Sequence, residues 1–221
     1  NKSMANPSID KAQLSNIITD VLRIIEEKCP LTIQSKSIFE SEEEKKKRIE
    51  LVSKMQVRFL IFAIYRCKVS IQLAHWNLIK LYLKLISLYV PKPEVRNSTN
   101  NITTPVTPNQ SSPQLSPVSS SPMSKAYVRI SDEKMPLREY RSKLLEILER
   151  SNLYRTQEAL DAIKEVNNNL IEERITILKK ASPPKIQEAV HLISRPSFPF
   201  EISVRFCDEV FKNNIDKNVY N

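Results

Sequence analysis

The chain has 221 residues, carries a formal charge of +9 and contains no glycine, where about 7% would be average. Without glycine, phosphate-cradling loops, dinucleotide fingerprints and the G-x-S-x-G nucleophile elbow are excluded in their usual forms, because each needs a tight turn or a close backbone approach. Tight β-hairpins lean on the same residue to reach positive φ, so the expected fold is all-α with polar or proline-bearing connections.

Residues 1–10 carry no secretory-signal pattern. The first helical pattern follows at Leu14, Ile17, Ile18, Val21, Leu22 and Ile25, spaced as one apolar stripe and stopped before Pro30. Cys29 closes it; with Cys67 and Cys207 it stands far from any partner, a pattern of reduced cytosolic thiols and not of a disulfide framework or zinc site. His75 and His191 cannot build a metal cluster alone, so no metal, cofactor or catalytic residue is assigned. Ser41 followed by Glu44 is a capping-box signature opening a second, charged helix start.

VRFLIFAIYRCK (57–68) and SIQLAHWNLIKLYLKLISLYV (70–90) are strongly apolar. Their basic residues break the run short of the ~20 apolar residues a membrane span needs, so they read as buried helices with Trp76 and Tyr82 as packing residues. Residues 51–93 hold no Asp or Glu, yet contain Lys54, Arg58, Arg66, Lys68, Lys80, Lys84 and Lys92. That asymmetry reads either as a solvated helix face or as a contact for an acidic partner or an anionic membrane surface. Nucleic acid is not expected, because no recognised binding motif accompanies the charge.

Residues 91–136 hold eight of the fourteen prolines and little apolar surface, so they are expected to stay disordered. Helical patterns then return: Leu137, Leu144, Leu145 and Leu148 on one face, a helix capped by Thr156 with Ala159, Leu160 and Ile163, and a third with Leu170, Ile171, Ile177 and Leu178 inward. Ser182 is expected to cap a fourth whose first turn begins Pro183-Pro184, and a fifth follows Pro199 with Val204, Cys207, Val210 and Phe211 on one side. Hairpins recurring at roughly thirty residues mark an α-solenoid. The domain reading is a helical solenoid segment over 8–90, a disordered insert over 91–136, and helical-hairpin repeats over 137–221.

Two adjacent carboxylates, Glu172 and Glu173, raise the question of acid–base chemistry. On a helix they point about 100° apart, and they sit at the N-terminal end, with Lys179 and Lys180 at the other, as the helix dipole favours. They are expected to be structural acids on the wet side, each exchangeable for glutamine at the cost of a surface change, within ~0.5 kcal/mol.

AHWNLIKLYLKLI (74–86), EYRSKLLEILERSNLY (139–154) and NLIEERITIL (169–178) resemble the vacuolar protein sorting thirty-nine family, the Vam-type subunits of the HOPS tethering complex, with close relatives in CORVET. The matched positions are His75 with Leu81-Tyr82; Tyr140, Arg141, Lys143, Leu144 and Leu145; Leu170 with Glu172, Glu173 and Arg174; Phe206-Cys207; and Lys217, Val219 and Tyr220. The likeness runs from residue 57 to 221 around the proline-rich insert. It departs at residues 179–184, where the family places glycines and this chain has KKASPP; Glu188-Ala189 resume the pattern, so the turn is expected to be rebuilt and the hairpin kept.

The resemblance implies a middle piece of an α-solenoid from a non-enzymatic subunit, cytoplasmic and peripheral on vacuole or late-endosome membranes. Its implied partners are other tethering-complex subunits and, in the full-length protein, a Rab GTPase. A CORVET subunit of the TGF-β-receptor-associated type, or a basic peripheral membrane module, are the alternative readings. No residue-level binding site carries over. Limited proteolysis should cut within 91–136 first and leave two fragments that stay associated; protection of that whole stretch would contradict the insert.

Overall fold

The computed structural model describes residues 10–29, 41–90, 129–167, 169–195 and 198–219. Among them every regular element is helical and no strand occurs. Lys92 and residues 91–128 of the proposed insert lie outside the described residues.

Helix α1 spans Lys11–Lys28 and ends before Pro30 as its apolar spacing predicts. Only Ile18 is fully buried; Leu14 and Leu22 pack on the core, whereas Ile17 stays 49% exposed, so the predicted stripe is split between two faces. Helix α2 (Glu42–Ile61) opens with the complete capping box: Glu44 N–H donates to Ser41 Oγ, and Ser41 N–H donates to the Glu44 carboxylate. That reciprocal pair satisfies two of the donors a helix start leaves open. A π-helical turn, Phe62–Arg66, continues α2 and leads to Lys68, whose φ of 57° turns the chain back into α3.

Helix α3 (Gln72–Ser87) is the middle of the molecule. It packs against α1, α2, α4 (Leu137–Arg150) and α5 (Thr156–Val166). Being covered on so many sides explains why Ala74, Leu78, Ile79, Tyr82, Leu83, Leu85 and Ile86 are all buried and only a narrow strip is left open. Helices α6 (Ile171–Lys180) and α7 (Ile186–Ile193) follow, with α6 against α4, α5 and α7, and α8 (Phe200–Val219) closes the chain. Among the described helices, substantial packing occurs between those one or two steps apart. One apolar cluster runs through these elements from Ile18 to Phe206.

Several local expectations need correction. Residues 129–136 are ordered: Ile130–Asp132 form a 3-10 turn, Ile130 is buried, and Glu133 pairs with Arg141, so a buried ion pair offsets the low apolar content there. Thr156 is the first residue of α5, with Arg155 at the cap position. Ser182 does not cap α7; Lys185 occupies that position, and both prolines fall in the connection, where Lys185 N–H donates to Leu178 O. The α6–α7 hairpin survives without glycine. On α8 the inward face is Phe206 with Ile202 and Val210, i, i+4 and i+8; Val204 and Cys207 point out, and the side chain of Phe211 lies outside the described residues.

Three helices are tied together at Glu50 on α2. It accepts hydrogen bonds from Tyr89 Oη, just past α3, and from Tyr140 Oη on α4, both at 2.6 Å, and Lys54 Nζ lies 2.8 Å away. Lys46 sits over the Tyr89 ring at 4.1 Å and Lys54 over the Tyr140 ring at 5.7 Å. Burial alone would push the Glu50 carboxyl up, but hydrogen bonds from Lys54, Tyr140 and Tyr89 outweigh it and hold the carboxyl at about 2. Burial and the facing carboxylate raise both tyrosines. Because the folded value lies below 4.5, the stabilisation is complete above pH 4.5 and is lost as pH falls toward 2. Glu50→Gln should therefore lower the denaturation midpoint at pH 7 and flatten the pH dependence of stability between 4.5 and 2; an unchanged acid limb would count against this cluster.

Candidate interaction surface

The two carboxylates of α6 part company. Glu173 is fully buried and Glu172 is not. Arg141 of α4, itself only 2% exposed, donates from Nε to Glu173 Oε1 at 2.8 Å and from Nη2 to Oε2 at 2.9 Å. Its remaining Nη1 donates to Glu133 at 2.7 Å. This two-pronged geometry is the strongest an arginine offers a carboxylate, and a buried charge requires it. Burial pushes the Glu173 carboxyl above the ordinary carboxylate range despite the pull of Arg141; burial opposes the Arg141 charge too, but Glu173 and Glu133 hold it on. Glu172 accepts the Ile130 N–H at 3.5 Å, fastening the 3-10 turn to α6. The expectation that both acids line the wet side is thus wrong for Glu173.

The signal was in the phase. Arg141 stands three residues before Leu144 and seven before Leu148, and Glu173 stands three after Leu170 and four before Ile177. Each charge lies on the apolar stripe of its helix, where a single ionised group is untenable and an opposite pair is not.

A second cluster closes the C-terminus of α4. Lys180 Nζ donates to the carbonyls of Leu148 (2.9 Å), Glu149 (2.6 Å) and Ser151 (2.8 Å), and Tyr154 Oη donates to Leu148 O at 3.1 Å. These are carbonyls a helix end leaves without partners, met by a cation where the dipole is negative. Ser151 Oγ is 2.9 Å from His75 Nδ1, which fixes His75 as a packing residue, and burial lowers its pKa.

Of the seven basic residues, the six that are described fall in different settings, and Lys92 lies outside the described residues. Lys54 is spent on Glu50 and the Tyr140 ring. Arg66 and Lys68 are exposed in the turn between α2 and α3, about 18 Å along α2 from Lys54 at 1.5 Å per residue. Arg58 is exposed on α2. Lys80 and Lys84 are exposed together on α3, one turn apart, with Lys80 Nζ 5.6 Å from the centre of the half-buried Trp76 ring. The open strip of α3 is therefore aromatic at one end and cationic at the other.

Sequence reasoning missed a shallow hollow of about 380 Å³ between α5, α6 and α7. Lys164, Arg174, His191 and Arg195 surround it with Glu188, over a floor of Leu160, Leu178 and Leu192. Burial, and then the charge of Arg195, lower the Arg174 pKa, against the opposite pull of Glu188. Among the described residues no cluster of His, Cys, Asp or Glu could hold a metal ion, and no helix is long and apolar enough to cross a membrane.

Glu173→Gln should destabilise the fold by about 3–5 kcal/mol, since it removes the two-pronged carboxylate partner of buried Arg141 and leaves only Glu133 to oppose its charge, whereas Glu172→Gln should stay within about 1 kcal/mol. Urea denaturation of the two variants checks this, and equal midpoints would refute it. Compared with family models, curated proteins and solved structures, the chain matches none at a significant level.

Proposed function

We propose that this chain is a non-enzymatic α-solenoid segment of a HOPS-type tethering subunit, acting at vacuole or late-endosome membranes through contacts with other subunits of the assembly. The observation that carries the reading is the role of the residues on which the resemblance rests. Tyr140 and Arg141 of one motif meet Glu50 and Glu173 in the core, and Glu173 belongs to the other motif. A pattern of this kind marks a way of stacking helices, which is what a scaffold family would share. Packing between helices one or two steps apart supports the solenoid, since such arrays bury each unit against its neighbours and leave the outer ridges free. A Rab GTPase enters only as a partner of the full-length protein, and a CORVET-type subunit remains the near alternative.

The exposed Lys80–Lys84 strip, in a stretch without acids, favours an acidic partner surface. It equally favours the second reading, a module held at an anionic membrane. Lys80→Glu/Lys84→Glu should weaken capture by purified tethering subunits in a salt-dependent way, with the helical circular-dichroism signal unchanged. Sedimentation with anionic vesicles, abolished by the same pair while subunit capture persists, would favour the membrane reading. Unchanged behaviour in both assays would leave the strip a solvated face and count against either contact.

A further inference from the structure

Helix α2 exposes a second strip of a different kind. Leu51, Met55, Arg58, Phe62 and Tyr65 follow one another at four, three, four and three residues, running from α2 into the π-helical turn that continues it. The apolar members stay open: Leu51 40%, Met55 39%, Phe62 57% and Tyr65 39% exposed. This is the spacing of a helix–helix seam, about 21 Å long at 1.5 Å per residue, or roughly four turns. The opposite face of α2, with Val52, Gln56, Val57 and Leu60, is already used; Gln56 Nε2 donates to Leu22 O of α1 there.

From Leu51 onward the charge along the strip has one sign. Lys47, Arg58, Arg66 and Lys68 are exposed along it or at its end. No carboxylate occurs from 51 to 93, and Glu50 is committed to Lys54, Tyr89 and Tyr140. On α1, the helix packed beside it, Asp20 and Glu27 are held by Arg23 and Glu26 is exposed, while Glu44 at the start of α2 is engaged in the capping box with Ser41. We propose that this strip is the seat of an acidic amphipathic helix from a partner protein, with apolar residues at the same alternating spacing and carboxylates set opposite Arg58 and Arg66. The proposal rests on the protein-contact reading above and gives that contact a place and a chemistry.

Charge selects the occupant. A second copy of the same face would bring Arg58 and its basic neighbours against their own kind, which is destabilising at a helix seam. A bilayer is served by a continuous apolar face with the cations along its edges, and here Arg58 interrupts the middle. A helix carrying Glu or Asp meets both requirements, filling the apolar steps and pairing the cation between them.

The test uses the full chain and two synthetic amphipathic peptides of about four turns, one with leucine at the seam and glutamate on its flanks, the other with lysine for each glutamate. Fluorescence anisotropy should report binding of the glutamate peptide, at least tenfold weaker for its lysine twin. Phe62→Glu and Arg58→Glu should each reduce the glutamate peptide's affinity by tenfold or more while the helical signal is kept, since both side chains are exposed. Equal binding of the two peptides, binding indifferent to Phe62→Glu, or no binding at all would overturn the proposal. So would concentration-dependent self-association, or capture by phosphatidylserine vesicles, that Phe62→Glu abolishes. Lys80 and Lys84 lie on α3, so their subunit-capture assay is independent. If that contact holds while the peptides fail, only the assignment of this strip falls.

Discussion

Arg141 and Glu173 set a condition that the second half of the molecule has to meet. An arginine taken almost wholly out of water is tolerable only if its donors are used, and here three of them are aimed at two carboxylates. Rotating α4 or α6 by one residue would swing either partner through about 100° and strand a charge in the core. The register of α4 against α6 is thereby fixed. Glu133 and Glu172 extend the constraint to the 3-10 turn, which is why a stretch with few apolar residues is held in place at all. Lys180 acts from the far end of α6 on the end of α4, so the two helices are joined at both ends by groups with one workable arrangement.

The first half is organised by exclusion. With four helices packed around it, α3 has room for only a narrow polar strip, and its cations gather there because every other direction is closed. On α2 the reverse holds: one face is covered, and a ridge of large apolar side chains remains in water. Exposed apolar residues are ordinary when scattered, but a ridge in helical phase is a surface shaped for another element. The part-buried Glu50 cluster, between these two helices and α4, keeps the carboxylate nearest Leu51 in the chain engaged with Lys54, Tyr89 and Tyr140.

Much of the helical arrangement was legible in the residues because helix periodicity and end signals are local. The Ser41–Glu44 box, the stop before Pro30 and the inward set on α6 all rest on neighbours within a turn or two. What failed depended on contacts distant in the chain. Ile17 and Val204 have the same spacing as their buried neighbours, and only the placing of other helices decides which side of a stripe is covered. Thr156 and Ser182 are good capping types, but the chain enters each helix by a route set elsewhere. Glu173 adjoins Glu172 in sequence but shares its helical phase with Leu170 and Ile177, and the partner that makes its burial possible lies 32 residues away. The basic residues are close in sequence, but the hairpin distributes them between α2, its turn and the open strip of α3.

The turn at Lys68 carries a cost that its lysine discloses. A φ of 57° is the left-handed region, where a side chain meets the following carbonyl and loses roughly 1–2 kcal/mol to crowding that glycine would escape. Glycine would, however, give the unfolded chain more conformations to abandon, at about 0.4–1 kcal/mol per position. The second effect offsets part of the first. A chain of 221 residues with fourteen prolines and no glycine is therefore stiff before it folds, and starts with less disorder to give up. Strain held at one joint of the native fold is set against an unfolded state that is itself confined.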